Sequence, residues 1–485
     1  MKKVAVIGSG LSGLYAANYL AKKGYAVEVF EKNDTHGGRS RVFSAAGFRF
    51  DMGPSWYWMP DIIDELFRDL GETRSDFYQI QRLENSYKVF WGNDESSTIP
   101  ANFDQLLELF DSFEKEGGKK LLRFLSEAEQ KYTTARPLME IPGVSLREFF
   151  DRKVLASAVK QKIFRSVKKD VSNRFESTKA QMLLNFPVLF LGAMPDEIPS
   201  LYTLMNYADL KLGTWYPEGG MHAISSALYD LALRNGVRFH FKAPVQEILH
   251  ENGTFSGLRT DNGVHNFAYL ISSADYQFTE QVLLPKQFRR YNSAYWNKRK
   301  LAPSSLIFFL GIDKIVPGLE HHTLFFDESL DDHGVEIYKT RKWPSKPLFY
   351  VCAPSKTDKD VAPEGQENLF ILMPLATDVE DNEELRERYL TIMLDRLEQR
   401  THTSIRAHIL FQRSYCVNDF KADYNSFKGN AYGLANTLMQ TAHLKPKVKA
   451  KLKNMFYCGQ LTVPGPGVPP ALISGKIAAQ QLMKS

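Results

Sequence analysis

The first 31 residues constrain the fold of this chain more than any other stretch. An apolar run over residues 4–7 is followed at once by the glycine-rich turn Gly8-Ser9-Gly10-Leu11-Ser12-Gly13. A helix-like stretch then runs to Lys23, Gly24 ends it, and a second apolar run over residues 25–30 leads into Glu31. Strand, glycine-rich turn, helix, strand and acid in this order predict a dinucleotide-binding βαβ unit.

The positions of the turn have distinct physical roles in such a unit. Gly8 permits a tight turn, Gly10 lets the backbone approach a pyrophosphate, and Gly13 lets the helix pack closely on the strand. The helix N-terminus offers unpaired N–H groups and the positive end of its dipole to the phosphates. Glu31 lies 18 residues after Gly13, where its carboxylate can accept hydrogen bonds from ribose hydroxyls. The predicted cofactor contacts in this unit are Gly8, Ser9, Gly10, Leu11, Ser12, Gly13, Glu31 and Lys32.

Two segments after Glu31 distinguish FAD from NAD as the cofactor. Gly37-Gly38-Arg39 lies just past the ribose acid, and a second segment ends in Gly53-Pro54-Ser55. Both resemble fingerprints of the FAD-binding amine oxidase and desaturase superfamily. Paired glycines let the backbone cross close to a cofactor, and an arginine can pair with pyrophosphate as a charged fork. The predicted FAD contacts here are Gly38, Arg39, Gly53, Pro54 and Ser55.

No second dinucleotide fingerprint occurs in the sequence. Gly219-Gly220 and Gly465-Pro466-Gly467 lack the strand–helix setting of a nicotinamide site. Cys352, Cys416 and Cys458 are far apart and form no Cys-x-x-Cys pair. These observations argue against a flavin disulfide reductase and against an NADPH-fed monooxygenase. The flavin is therefore expected to be reduced directly by the substrate, as in an oxidase, a dehydrogenase or a desaturase.

Residues 454–475 resemble the closing signature of the bacterial-type carotenoid (phytoene) desaturases. The residues that match the family pattern are Gly459, Thr462, Pro464, Gly465, Gly467 and Val468. Val463 replaces the usual His, and Gln460-Leu461 replaces small residues. The resemblance implies further FAD contacts at Gly459, Gln460, Gly467, Val468 and Val245, the last through its backbone to the adenine.

The resemblance implies an FAD-dependent carotenoid desaturase with non-covalent FAD and a carotenoid substrate that is dissolved in a membrane. The departures at residues 460, 461 and 463 allow for a hydroxycarotenoid 3,4-desaturase that acts on an end group. A flavin-dependent carotene cis–trans isomerase, an amine oxidase-like flavoprotein and a flavin-free protein that kept the fold are the alternatives. The sequence predicts no metal ligands, marks no catalytic residue, and leaves the electron acceptor open between oxygen and quinone.

The predicted fold class is α/β, with a Rossmann-type FAD-binding domain, a discontinuous mixed-sheet substrate domain and a helical lid. A chain of 485 residues is too long for one core. The FAD domain is predicted to comprise residues 1–75, 213–290 and 425–485, and it includes a strand pair over 237–248 that contains Val245. The substrate domain comprises 76–105 and 291–424, with strands at 305–312, 348–352 and 369–373. Residues 106–212 form the lid and membrane-contact region.

Membrane contact is predicted from composition rather than from a spanning segment. The charge-free window 180–195 is shorter than the roughly 20 residues a spanning helix needs, and it is interpreted either as a buried helix–loop or as a lid that touches lipid. Basic residues beside Trp296 and Trp343, with alternating lysines from Lys445 to Lys453, suit an anionic membrane surface. No recognition motif favours nucleic acid. The strand that begins at residue 3 and the few cysteines predict a cytoplasmic protein, peripheral to the inner face of the membrane.

Overall fold

The computed structural model describes residues 2–92, 94–143, 165–189 and 191–485. Its N-terminal part forms a five-stranded sheet with the order β19-β13-β1-β2-β9, in which every neighbouring pair is parallel. The strands of this sheet are β1 Lys3–Ile7, β2 Ala26–Phe30, β9 Arg238–His240, β13 Tyr269–Ser272 and β19 Met455–Tyr457. Parallel strands align their carboxyl ends on one edge, which is where open α/β sheets bind ligands.

Three helices pack around this sheet: α1 Leu11–Lys22, α8 His222–Arg234 and α13 Val468–Met483. Helix α1 lies between the other two and is buried on nearly all sides, with Leu14, Ala16 and Ala17 fully inaccessible to solvent. A Cβ atom on Gly475 of α13 would lie only 2.3 Å from the carbonyl oxygen of Ser12. The absence of a side chain at Gly475 therefore sets how closely α13 approaches α1.

A seven-stranded mixed sheet forms the second layer, with the order β18-β14-β17-β16-β15-β6-β7. All its pairs are antiparallel except β15 with β6. Its strands are β6 Asn85–Trp91, β7 Ser96–Pro100, β14 Ser304–Ile312, β15 His322–Phe326, β16 Phe349–Cys352, β17 Glu367–Leu375 and β18 Ile409–Tyr415. The strands expected at 305–312, 348–352 and 369–373 are present, within two residues at either end.

The faces of this sheet alternate along each strand, as side chains do in extended backbone. In β17, Leu369, Ile371 and Met373 pack in a core with helix α11, Glu383–Thr401. Leu372, between two of them, belongs to the separate core that surrounds the main cavity. The sheet thus supports a helix on one face and forms a cavity wall with the other.

The remaining elements are smaller sheets and a helical region. The short strands are β3 Val42–Ala45, β4 Phe48–Asp51, β5 Ile80–Arg82, β8 Trp215–Pro217, β10 Glu247–Glu251, β11 Thr254–Thr260 and β12 Gly263–Asn266. Among the described residues, the other α-helices of at least five residues are α2 Pro60–Asp69, α3 Phe103–Phe113, α4 Gly117–Met139, α5 Val167–Ser172, α6 Thr178–Leu189, α7 Leu204–Leu210, α9 Ser293–Asn297, α10 Leu330–Gly334 and α12 Val417–Tyr424. A buried ion pair between Lys131 and Asp170 ties α4 to α5 (3.2 Å).

The α/β fold class is confirmed, and one local prediction is wrong. Residue 245 does not lie in a strand, because Pro244 and Val245 form the irregular segment between β9 and β10. The strands of the five-stranded sheet all fall within 1–75, 213–290 and 425–485, and those of the seven-stranded sheet within 76–105 and 291–424. The division into domains itself stays a prediction, and residues 144–164 of the predicted lid lie outside the described residues.

Candidate active site

A single cavity of about 1030 Å³ begins at the carboxyl ends of the parallel strands and continues along the seven-stranded sheet. At its first end it is lined by residues that directly follow strands: Gly8 after β1, Glu31 after β2, Ser273 after β13 and Cys458 after β19. Its second end is lined by apolar side chains of β14, β15 and β17. We call these ends the nucleotide cradle and the apolar chamber.

The glycine-rich turn forms one wall of the cradle. Gly8 has φ +92°, which a residue with a side chain rarely adopts. Gly10 is the N-cap of α1 and faces open space, since a Cβ atom there would have its nearest neighbour 4.0 Å away. Gly13 faces the protein instead, because a Cβ atom there would lie 2.1 Å from the carbonyl oxygen of Gly8. Gly8, Gly10, Leu11 and Ser12 line the cavity, whereas Ser9 and Gly13 do not.

Glu31 is oriented by the turn that precedes it. Its Oε2 accepts hydrogen bonds from the backbone N–H and the hydroxyl of Ser9, both at 2.8 Å, and its Oε1 accepts from Asn33. Ser9 therefore acts on the cradle through Glu31 rather than by lining it. Lys32 donates to the carbonyl oxygen of Ala422, and burial lowers the pKa of its amine. Val245 lines the cradle beside Glu31 and Lys32.

Arg39 lines the cradle as a second cation beside Lys32. Its Nη2 donates to the hydroxyl of Ser426 (3.0 Å), its guanidinium lies over the ring of Tyr424 (4.9 Å), and its buried Nε has no partner. Burial lowers the pKa of Arg39, and an anion beside the guanidinium would stabilise its charged form. A Cβ atom on Gly53 would lie 2.3 Å from the carbonyl oxygen of Arg39. Only glycine at position 53 lets the two segments meet.

The C-terminal signature closes the cradle from the opposite side. Gly459 has φ +106°, and its N–H donates to the hydroxyl of Ser474 (3.0 Å). One terminal atom of the Gln460 amide lies 3.0 Å from both Oδ1 of Asn430 and Nη2 of Arg39. Helix α13 begins at Val468 and continues with two prolines, which lack N–H groups. Gly467 and Val468 line the cavity, so the positive end of this helix lies at this part of it.

The structure brings the predicted cofactor contacts together around one cavity. Those that line it are Gly8, Gly10, Leu11, Ser12, Glu31, Lys32, Gly38, Arg39, Gly53, Pro54, Ser55, Val245, Gly459, Gln460, Gly467 and Val468. The open face of Gly10 and the unpartnered Nε of Arg39 fit a pyrophosphate, and Glu31 fits a ribose. Sequence reasoning missed Tyr424 and Ser426, which hold Arg39, because no local motif marks them.

The apolar chamber extends from the cradle along the sheet. Its principal lining side chains are Trp56, Phe186, Ile307, Leu324, Phe326 and Leu372. Among the described residues, the carboxylates that line the cavity are Glu31, Asp275 and Asp423, and all three lie at the cradle end. The chamber can therefore accommodate a long apolar molecule and keep it away from water.

One polar cluster lies behind the wall of the chamber, next to the lining residue Tyr350. The ligand atoms of His321, His322 and Cys352 lie within 4.8 Å of one another, and all three residues are buried. However, Nδ1 of His321 is hydrogen-bonded to the hydroxyl of Thr357 (2.7 Å), and Nδ1 of His322 to that of Tyr350 (2.6 Å). The Cys352 thiol also interacts with Tyr350, and burial raises its pKa to about 12. We therefore interpret this cluster as a network of hydrogen bonds rather than as a metal site.

The chamber opens at a segment of exposed apolar side chains. Leu438 lines the cavity and is also 44% exposed, while Met439 is 75% and Leu444 39% exposed. We call Leu438, Met439 and Leu444 the apolar rim. The prediction that basic and aromatic residues form a surface for the membrane is partly wrong, because Trp296 and Lys445 are buried. Burial lowers the pKa of Lys445 to about 7, since its ammonium group has no partner.

The charge-free window 180–195 forms helix α6 and the turn after it. Leu183, Leu184 and Val188 are buried, which supports the interpretation as a buried helix–loop. Phe190 of this window lies outside the described residues. In the part of the chain that the structure describes, no helix has the length and apolar character needed to cross a bilayer.

Comparisons with solved structures identify the fold. The chain resembles an oxidoreductase from Methanosarcina mazei with a TM-score of 0.64, 20% identity and coverage of 100% of both chains. It resembles cyclohexylamine oxidase from Brevibacterium oxydans with a TM-score of 0.61 and 16% identity, covering 100% of this chain and 99% of the other. At such identities the likeness shows the shared fold alone.

Sequence comparisons identify the family. The family of flavin-containing amine oxidoreductases matches residues 11–483. The chain is 36% identical to the carotenoid 3,4-desaturase of Haloarcula japonica, over 99% of this chain and 98% of the relative. It is 30% identical to a zeta-carotene-forming phytoene desaturase of Myxococcus xanthus, over 99% and 94%. The chain therefore belongs to the flavin-containing amine oxidoreductase family, in the group of the carotenoid desaturases.

Proposed function

We propose that the protein is an FAD-dependent carotenoid desaturase that acts near the end of its substrate, at the 3,4 bond. The observation that carries this proposal is the continuity of the cradle with the apolar chamber, because one cavity can then hold a dinucleotide and a polyene together. The full-length relative at 36% identity is a carotenoid 3,4-desaturase, which supports the choice of bond. Flavin bound in the cradle would accept the hydride that the substrate loses.

The cofactor is proposed to be FAD, bound without a covalent link. Glu31, Arg39 and the start of α13 line the same cavity, and they offer groups suited to a ribose, a pyrophosphate and a ring system, as FAD requires. Covalent attachment needs a nucleophilic side chain. Burial raises the pKa of the lining thiol Cys458 to about 12, so this thiol stays protonated at neutral pH.

Desaturation is tested by product analysis in cells that supply candidate carotenes. We expect a product lighter by two hydrogens from a hydroxylated or monocyclic carotenoid, and none from phytoene. A lighter product whose new double bond lies elsewhere than at the 3,4 position, as located by NMR, would overturn the 3,4 assignment but keep desaturation. A product of unchanged mass and altered geometry would indicate an isomerase. Absence of any product, with flavin reduced by amines, would indicate an amine oxidase.

The apolar rim is proposed to seat the protein on the membrane that holds its substrate. Leu438 connects the rim to the cavity, so a carotenoid could enter the chamber without crossing water. Met439 is the most exposed of the three side chains, and burial of a methionine in lipid contributes roughly 1.5–3 kcal/mol.

Met439→Glu is expected to weaken vesicle binding by at least roughly tenfold, because it removes apolar area and adds a charge to desolvate. Cosedimentation with phosphatidylglycerol–phosphatidylcholine vesicles measures the effect. Val264→Glu, at an exposed position of β12, is the matched control and should bind like the wild type. Equal binding of both variants would rule out the rim as the membrane contact.

A further inference from the structure

Tyr350 and His322 form a hydroxyl–imidazole pair in the wall of the apolar chamber. The Tyr350 hydroxyl lies 2.6 Å from Nδ1 of His322, and both residues are buried. Tyr350 lines the cavity, while His322 lies behind it on the neighbouring strand. The pair is thus placed so that one member can touch a substrate and the other can only be reached through it.

The pair adjoins the segment predicted to contact the cofactor. Ser55, the last residue of Gly53-Pro54-Ser55, lines the cavity, and its side chain interacts with the Tyr350 hydroxyl. Trp56, the next residue, stacks on the His322 ring with the centroids 4.0 Å apart and an interplanar angle of 11°. Residues 53–56 therefore connect the cradle to this pair.

Desaturation needs a group that accepts a proton inside the apolar chamber. The substrate loses one hydrogen as hydride and the hydrogen on the adjacent carbon as a proton. Two other lining groups are less suited: both ring nitrogens of His333 are occupied, by the N–H of Leu348 and the carbonyl of Pro374. Tyr338 donates to the carbonyl of Leu189, which is not basic enough to take up its proton.

We propose that Tyr350 takes the proton that the carotenoid loses and passes its own proton to Nδ1 of His322. The inference rests on the proposed desaturation. As hydride leaves one carbon, the adjacent C–H bond breaks and its electron pair forms the new C=C bond. The released proton bonds to the Tyr350 oxygen, and the Tyr350 O–H proton moves to His322, which becomes an imidazolium. The two electrons leave with the hydride.

The surroundings keep His322 neutral before the transfer. Burial and the neighbouring His321 hold the pKa of His322 well below its usual range, so its ring is neutral and can accept a proton. A weak base suffices, because a C–H bond beside a developing cation is strongly acidic. The stacked Trp56 ring offers its negative face to the imidazolium once it forms.

The test measures anaerobic flavin reduction by the carotenoid in the holoenzyme, with Tyr350→Phe, His322→Asn and the control Tyr338→Phe. Asn keeps an acceptor where Nδ1 lies but has no basic nitrogen, so it separates proton acceptance from positioning. Flavin content and substrate binding are measured for every variant. We expect a loss of about 10²–10⁴-fold in rate for the first two variants. We also expect a primary isotope effect at the carbon that loses the proton to grow, with substrate binding unchanged.

The outcomes separate this proposal from its alternatives. Wild-type rates in both variants, or a wild-type rate in His322→Asn alone, would overturn the transfer. A weaker binding confined to hydroxylated carotenoids, at unchanged maximal rate, would make Tyr350 a hydroxyl-binding residue and would also overturn it. A comparable loss in Tyr338→Phe would mean that any change in the wall slows the reaction, and it would overturn a specific role for Tyr350. Failure of the wild type to desaturate any carotene would instead overturn the proposed function.

Discussion

Gly10→Val is expected to give a folded protein that no longer binds flavin. The backbone at Gly10 (φ −70°, ψ 173°) suits a valine, and a Cβ atom there would meet no protein atom closer than 4.0 Å. The added side chain would occupy the space in which a pyrophosphate must approach the start of α1. We expect binding weakened by roughly 10³-fold, equivalent to about 4 kcal/mol. Flavin absorbance of the purified protein and titration with FAD measure it.

The control for Gly10→Val is Gly92→Val. Gly92 also has an ordinary φ and open space, with its nearest atom 3.8 Å from a built Cβ, but it does not line the cavity. This variant should purify with a full complement of flavin, and both variants should give wild-type circular dichroism. If Gly10→Val retains the yellow colour and affinity of the wild type, the assignment of the cradle is wrong.

Gly475→Ala is expected to destabilise the protein strongly. The new Cβ atom would lie 2.3 Å from the carbonyl oxygen of Ser12 and 3.1 Å from the backbone nitrogen of Ala16. Both are backbone atoms of a buried helix, so α13 must move away from α1. Overpacking of this kind costs about 3 kcal/mol. Denaturant unfolding of the apoprotein measures the change.

This variant should also lose affinity for flavin, because α1 and α13 both begin at the cradle and their separation sets its width. Gly24→Ala is the control, since Gly24 has φ +83° and no atom within 4 Å of a built Cβ. It should cost only about 1 kcal/mol and leave flavin affinity unchanged. Equal stability of the two variants would contradict the close helix contact.

The βαβ unit could be predicted from sequence because its determinants are local. The turn, the helix and Glu31 follow one another without a gap, and the hydrogen bonds from Ser9 to Glu31 join residues only 22 positions apart. The segments around Arg39 and Gly459, which resemble family fingerprints, likewise have their glycines next to the residues predicted to contact the cofactor. Backbone conformations that only glycine adopts leave a direct trace in the sequence.

The polar pair in the chamber could not be predicted in this way. Trp56, His322 and Tyr350 are far apart in the chain and meet only because β15 pairs with β16 and both pack on the segment after Ser55. The burial of Lys445 and Trp296 was missed for a related reason. A run of charges predicts exposure on average, whereas the path of each side chain depends on the tertiary packing around it.

The alternation along β17 has an evolutionary consequence. Leu369, Ile371 and Met373 pack against helix α11, while Leu372 and Pro374 line the chamber. Substitutions can therefore accumulate at the chamber positions without disturbing the positions that hold the helix. Mutations on the chamber side would change how deeply a polyene enters the chamber. They would thereby change which of its bonds lies at the reacting position. One side of the strand can therefore determine how far the substrate enters, while the other side keeps the packing of the fold. Related proteins can then differ in the bond that they desaturate and still share one fold.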